Sequence, residues 1–289
     1  MSNFNLQFSK DKIPNINCLG LGVFDGIHLG HQQLLNQADA LLTFEPHPIS
    51  ILKNITVQRL TTAKELPFYI PQLFTLEFTK NISEMSAEDF LNKIILSEIN
   101  PKKIVVGYDY HYGHKREGNI DTLKLWGKQN NIEIIEIEPF LYKEQLVKSR
   151  IIRTAITETN FNQGIEWLGH SYLIKGIVIE GEGRGKKIGF PTANIKVEAN
   201  KCIPQYGVYK GKTSIKGKTY KAMIYIGNKP TFNSNFTAIE IHILNFNTSI
   251  YNQEIDVFLE EKIRNHKKFE STDQLIQQIE KDINYCYGS

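Results

Sequence analysis

The texture of the apolar segments changes once along this chain, and that change constrains the fold more than any other feature. Through the first half, strand-like and helix-like segments take turns. Ile16–Phe24 is apolar and punctuated by glycine, Leu29–Ala40 has helical spacing, and Leu41–Phe44 is a short buried strand. Ser86 stands as an N-cap before a helix with Phe90, Leu91, Ile94 and Ile95 on one face. Lys103–Tyr108 predicts a strand, Ile120–Lys128 a helix turning Leu123 and Trp126 inward, and Ile132–Ile137 another strand. This alternation predicts an α/β domain with a parallel, doubly wound sheet covered by helices on both faces. Around Ser149–Gly169 the pattern becomes helical, and this stretch is expected to be the hinge. Beyond it come short β-like runs separated by Gly, Asn and Lys: Leu173–Ile179, Gly207–Ser214, Tyr220–Ile226, Ala238–Phe246 and Glu254–Leu259. Such a succession predicts a small antiparallel barrel. A last helix follows. Ser271 and Gln274 have capping-box spacing, Leu275, Ile276, Ile279 and Ile283 form its apolar face, and Gly288 can end it. The expected organisation is a first domain over 1–155, a helical linker over 156–171 and a second domain over 172–289.

Composition narrows the range of partners. The 289 residues suffice for two domains with separate cores. Lys and Arg exceed Asp and Glu by only 3, too little for a nucleic-acid surface. Cys18, Cys202 and Cys286 are far apart, which argues against a disulfide framework or a structural zinc site. Met1–Asn17 carries no apolar core of a signal peptide, and no apolar run reaches roughly eighteen residues. The expectation is a cytoplasmic protein acting on small molecules, a monomer or weak homo-oligomer, with neither nucleic acid nor membrane as partner.

Two stretches carry chemistry. In Gly20-Leu-Gly-Val-Phe-Asp-Gly-Ile-His-Leu-Gly-His31, glycines at 20, 22, 26 and 30 fall where a strand hands over to a helix. Backbone can approach a phosphate closely there, and the helix N-terminus offers unpaired N–H groups. His28 and His31, three apart, share one face of the first turn and suit the charge on a triphosphate under attack. No third ligand lies nearby, which disfavours a metal at the pair.

The second stretch is Glu182-Gly-Arg-Gly-Lys-Lys-Ile-Gly-Phe-Pro-Thr-Ala-Asn194. Gly183 and Gly185 flank a flexible turn whose amides, with Arg184, Lys186 and Lys187, can surround a polyphosphate. Thr192 and Asn194 offer the hard oxygen ligands that Mg²⁺ accepts. A Walker A loop and the protein-kinase motifs are both absent.

The HxGH arrangement resembles the nucleotidyltransferase superfamily, and Gly22-Val-Phe24-Asp25-Gly26 narrows the likeness to the bacterial bifunctional riboflavin kinase/FMN adenylyltransferase (FAD synthetase) family. Thr43-Phe-Glu-Pro46-His-Pro48 is similar to the family's TFEPHP segment. Gly107-Tyr-Asp109-Tyr-His-Tyr-Gly113, with Arg116 and Gly118, is similar to its GxDFxFG…RxG segment. Val147-Lys-Ser149-Arg-Ile-Ile-Arg153 stands where the family has SSTxIR, with Lys148 and Arg150 replacing Ser and Thr. The GRG…GFPTAN run resembles riboflavin kinases closely, Ile226–Phe232 resembles their IGxxPTF loop, and Ile239–Leu244 the strand bearing their catalytic glutamate. The resemblance covers Leu19 to Asp282.

It implies a transferase that spends ATP with Mg²⁺ to convert riboflavin to FMN and FMN to FAD. Glu240, His28 and His31 are then the catalytic residues. Gly22, Phe24, Asp25, Gly26, Gly30, Ser149, Arg153, Gly183, Arg184, Gly185 and Lys187 hold ATP, and Thr192 and Asn194 hold the metal. Pro46, Asp109, Arg116, Arg264 and Phe269 meet the flavin. A riboflavin kinase whose first domain is weak or regulatory is the alternative that Lys148 and Arg150 leave open. A flavin- or RNA-binding regulator with vestigial sites is disfavoured by the presence of Glu240, Thr192 and the histidine pair. A cytidylyltransferase would leave 172–289 without a task.

Overall fold

The computed structural model describes residues 4–10, 15–231 and 234–288, with 229–231 and 234–236 described as backbone. The chain forms two compact units, Met1–Ser149 and Arg150–Ser289. Phe232, at the end of the IGxxPTF-like loop, lies outside the described residues.

The first unit is built on strands β1 (Leu6–Phe8), β2 (Cys18–Leu21), β3 (Ala40–Glu45), β4 (Leu73–Glu77), β5 (Lys103–Gly107) and β6 (Glu133–Ile137). Their order is β1-β4-β3-β2-β5-β6. β2 to β6 pair in parallel, and β1 closes one edge antiparallel to β4. Alternate residues of the parallel strands part to the two faces. Leu19, Leu21, Leu42, Phe74, Leu76, Ile104 and Val106 face the helical segments carrying Phe90, Leu91, Ile94, Ile95, Leu123 and Trp126. Cys18, Leu41, Leu73 and Val105 face Leu34, Leu66 and Ile70. Burial on both faces is what a doubly wound sheet requires.

Local chemistry sets the helix ends. The Ser86 hydroxyl accepts from the Asp89 N–H at 3.1 Å, as its spacing predicts. The helix it starts is α-helical only over Ala87–Asp89 and runs on as a π-helix, Phe90–Ile99. The first crossover helix is short, Leu29–Leu35, because the chain must enter β3 at Ala40. A hairpin of β7 (Leu141–Tyr142) and β8 (Gln145–Leu146) precedes the end of the unit.

In the second unit, helices Ser149–Thr157 and Phe161–Leu168 come first; the expected linker 156–171 is therefore largely helix. Phe161 packs edge-on against Tyr209 and Tyr172, at centroid distances of 4.8 and 6.5 Å. Six antiparallel strands follow: β9 (Tyr172–Ile179), β10 (Ala193–Lys196), β11 (Gly207–Ile215), β12 (Lys218–Thr231), β13 (Ser234–Ile243) and β14 (Glu254–Asn265). They close into a barrel in the order β10-β13-β12-β11-β14-β9, which leaves no open edge. Three differences from the sequence expectation matter. β10 was not anticipated, and it closes the barrel. β13 ends before Leu244 rather than reaching Phe246, because the chain turns at Asn245 with φ 56°. β14 runs six residues beyond Leu259 and takes up its extra length in register shifts against β11.

Helix Thr272–Tyr287 covers part of the barrel's outer face, placing Ile279, Ile283 and Cys286 on Val208, Met223 and Leu244. The Ser271 hydroxyl caps it by accepting from Gln274 N–H at 3.2 Å, but the Gln274 side chain reaches Glu270 N–H rather than Ser271 N–H. Among the described residues, no helix is long and apolar enough to cross a membrane.

Candidate active sites

The first constellation lies at the carboxyl end of β2, where parallel α/β sheets bind ligands. Between Leu21 and the helix Leu29–Leu35 the backbone takes positive φ at Phe24 (53°), Gly26 (96°) and Ile27 (46°). Left-handed conformations at two non-glycine residues are costly and persist only where surroundings impose them. Here they do. Phe24 and Ile27 are buried, Thr61 N–H donates to Asp25 Oδ1 at 3.0 Å, and Gln32 Nε2 donates to the Ile27 carbonyl at 2.9 Å. Ser149 Oγ donates to the Asp25 carbonyl at 2.7 Å, so the residue carried over from the SSTxIR-like run meets the GVFDG-like loop directly. Arg153, on the same helix, belongs to the second unit.

His28 is the N-cap of that helix. Its Nδ1 accepts from His31 N–H at 3.3 Å, and the two rings stack at 3.7 Å with an 18° tilt. Sharing one face is therefore realised as ring stacking. Nδ1 of His28 is an acceptor, so in the neutral ring the proton sits on Nε2 and makes that atom the donor. Burial, and then the neighbouring His28, hold the His31 pKa well below the usual imidazole value. A neutral imidazole results, one N–H donor rather than a cation. A side chain at position 30 would crowd the His28 ring, since an added Cβ would lie 3.2 Å from its Cε1.

Pro46 follows Glu45 at the end of β3, and Glu45 pairs with Arg59 at 2.5 Å. Beyond β5 the structure assembles a polar cluster. The Asp109 carbonyl meets His111 Nδ1 at 2.9 Å, Arg116 Nη2 reaches the same nitrogen at 2.9 Å, and Lys148 Nζ pairs with Asp109 Oδ2 at 3.2 Å. Asp109 and Arg116 thus come together, with Lys148 beside them.

The second constellation lies on the outer face of the barrel. Strand register places Asn194 opposite Glu240, Glu240 opposite Tyr225, Tyr225 opposite Val208, and Val208 opposite Arg264. Directly opposed residues point to the same face, so these five form a row across five strands. Ile239 and Ile241 flank Glu240 in β13 and are 2% and 0% exposed, which turns them into the barrel and Glu240 out of it. Thr192 Oγ1 donates to Glu240 Oε2 at 3.3 Å. On the β10 side, Gly183 at φ 65° opens a helical turn, Arg184–Lys187, whose cations are exposed. Arg184 pairs with Glu182 at 2.5 Å.

Small residues keep the approach to the proposed metal ligands open. An added Cβ at Gly181 would meet Asn194 Nδ2 at 2.2 Å, and one at Gly185 would meet the Phe190 carbonyl at 2.3 Å and Thr192 Oγ1 at 3.5 Å. Oxygen donors of this kind, few and next to a turn bearing Arg184, Lys186 and Lys187, fit Mg²⁺ shared with substrate phosphates. Among the described residues no cluster of three His, Cys, Asp or Glu forms a metal cage.

At the far end of the row, Arg264 is tied down. Its Nε and Nη2 bind Asp282 at 2.9 and 2.7 Å, Gln278 Nε2 donates to the same carboxylate at 2.8 Å, and the guanidinium lies 5.8 Å from the centre of the Phe269 ring. Asp282 is 3% exposed. Sequence reasoning missed Asp282, Tyr225 and His266. The Tyr225 hydroxyl meets His266 Nδ1 at 2.9 Å, and burial, then the facing Glu240, push the phenol's pKa up. Only cross-strand register could have found Tyr225.

Comparison with known proteins matches each part of the chain to a family. The FAD synthetase family matches residues 10–151 and the riboflavin kinase family residues 168–288. A Buchnera aphidicola (subsp. Schizaphis graminum) bifunctional riboflavin kinase/FMN adenylyltransferase is 38% identical over 94% of this chain and 93% of its own. The Listeria monocytogenes protein of that name is 35% identical over 95% and 93%, and that of Bacillus subtilis 32% over 91% and 89%. A crystal structure of a Streptococcus pneumoniae protein, described as a macrolide-efflux protein, superposes with a TM-score of 0.83 at 28% identity over 97% of both chains. With one constellation in each matched segment and relatives that span both, the chain belongs to the bifunctional riboflavin kinase/FMN adenylyltransferase family.

Proposed function

We propose that the second unit moves the γ-phosphate of ATP to riboflavin, and that the first adenylylates the resulting FMN to FAD, releasing pyrophosphate. The observation that carries the kinase step is the place of Glu240 in its row, between Thr192 and Asn194 on one side and Tyr225 on the other. Amides of Gly183 and Gly185, with Arg184 and Lys187, hold the polyphosphate on the β10 side. Thr192 and Asn194 would share Mg²⁺ with it; the ion, when bound, neutralises charge on the transferring phosphoryl group. The Glu240 carboxylate accepts the proton of the ribityl hydroxyl as its oxygen attacks phosphorus. Arg264 and Phe269 border the flavin.

In the first unit, the FMN phosphate attacks the α-phosphorus of ATP. Gly22, Phe24, Asp25, Gly26 and Gly30 shape the loop that receives the triphosphate, and His28 and His31 donate to its oxygens as charge builds there. Ser149 steadies this loop through Asp25. Pro46, Asp109 and Arg116 are assigned to FMN. Buried, unbridged Cys18, Cys202 and Cys286 accord with a reducing cytoplasm, and a monomer or weak homo-oligomer with small-molecule substrates alone is proposed.

One observation favours a second reading, a kinase with a slow first unit: Lys148 is engaged by Asp109 and the Ser149 hydroxyl by Asp25. Incubation with riboflavin, ATP and Mg²⁺, followed by chromatographic separation of flavins, decides. FMN and FAD together support the bifunctional reading, FMN alone the second, and neither product overturns both.

A further inference from the structure

The direction from which the alcohol reaches Glu240 follows from the row of opposed residues. A base in phosphoryl transfer must stand between the phosphate donor and the nucleophile. The donor side is occupied by β10, with Asn194 opposite Glu240 and Thr192 donating to it. The hydroxyl and the ring system it carries must then come from the β12 side, over Tyr225. On that side Tyr225 is half-buried, packed against Val208, Met223 and Leu244, the cluster that the C-terminal helix covers.

Tyr225 is not a loose aromatic. Its hydroxyl meets Nδ1 of His266 at 2.9 Å and the two rings lie 6.0 Å apart. His266 is exposed and belongs to the segment that leaves β14 after Asn265 and carries Phe269. The contact therefore fastens that segment to the strand facing the base.

We propose that Tyr225, held by His266, is a positioning residue for the flavin substrate: it seats the alcohol-bearing chain against Glu240 and fixes the segment around Phe269 over it. The proposal rests on the kinase reading of this unit. Neither group moves a proton or touches the phosphates, so the effect belongs to riboflavin rather than to ATP.

The test uses the full chain with Tyr225→Phe, His266→Ala, the double variant and His266→Asn. Three readouts are taken: KM for riboflavin, KM for ATP, and riboflavin affinity from quenching of its fluorescence. Losing one hydrogen bond that orders a segment should raise riboflavin KM and Kd about three- to tenfold, with ATP KM unchanged. The double variant should be no worse than either single one, since both remove the same contact. Asn, which can present a polar atom near the place of Nδ1, should restore part of the loss. Riboflavin constants within twofold of wild type, or equal rises for riboflavin and ATP, overturn the positioning role while leaving the kinase reading intact. A wild-type chain that neither binds nor phosphorylates riboflavin overturns both.

Discussion

Removing the Asp282 carboxylate should unfasten the C-terminal helix from the barrel. Asp282 is 3% exposed and accepts from Arg264 Nε at 2.9 Å, Arg264 Nη2 at 2.7 Å and Gln278 Nε2 at 2.8 Å. Breaking a buried pair by deleting one partner typically costs about 3–5 kcal/mol, because the remaining charge loses its compensation. The Arg264 side chain is 21% exposed, so water can reach part of the guanidinium and the lower end applies, about 3 kcal/mol. In a unit of this size 1 kcal/mol moves Tm by roughly 4 °C, giving a fall of about 10 °C for the transition of the second unit. Thermal unfolding of Asp282→Ala by circular dichroism measures it. Arg264→Ala with Asp282→Ala should cost less than the sum of the two single changes, since no buried charge is then stranded. A fall under about 2 °C, or simple additivity in the double variant, would refute the reasoning.

Glu240→Gln should lower riboflavin phosphorylation about 10²–10⁴-fold while sparing conversion of added FMN to FAD; equal loss of both steps in a folded variant removes Glu240 from the base role. Asn194→Ala should raise the Mg²⁺ concentration needed for half-maximal kinase rate, and an unshifted Mg²⁺ titration removes it from the metal site. His31→Ala should cut FAD formation roughly 10²–10³-fold and leave the kinase step unchanged, as judged by separate assays with FMN and with riboflavin. The depressed pKa of His31 also fixes a sign. The unfolded chain takes the proton at about pH 6.5, above the folded group, so this stabilisation is complete above that pH and fades as pH falls below it. Denaturant unfolding at about pH 7.5 and pH 5.5 should show wild type losing stability relative to His31→Gln as the pH falls; no relative loss would place the folded pKa near its ordinary value.

The β/α alternation and the switch to short strands were legible because period and spacing are local properties. So was the helix start at Ser86, a matter of one hydroxyl three residues from its partner. β10 was not, since four residues reading Ala-Asn-Ile-Lys carry almost no alternation, and the strand exists because the barrel would otherwise stay open. The π-helical stretch was invisible too, because Phe90, Leu91, Ile94 and Ile95 fit an ordinary helix equally well. Glu240, Thr192 and Asn194 could be named from motif likeness. What places them together is register, and register across β12 and β13 depends on turn and loop geometry that no short window contains. For that reason Tyr225, His266 and Asp282 emerged only from the folded chain.

On the kinase reading, strand β13 carries core and chemistry on alternate residues, Ile239 and Ile241 inward with Glu240 between them. One residue inserted or deleted ahead of it, if the pairing shifted by one, would drive the carboxylate into the barrel and turn two isoleucines toward solvent. Catalysis and folding would fail in the same event. Length changes that reach this strand are therefore tolerable only where a bulge or a turn absorbs them, as the shifted register between β11 and β14 already does on the other side of the barrel. Strand length in this unit is thus a property that chemistry polices, not packing alone.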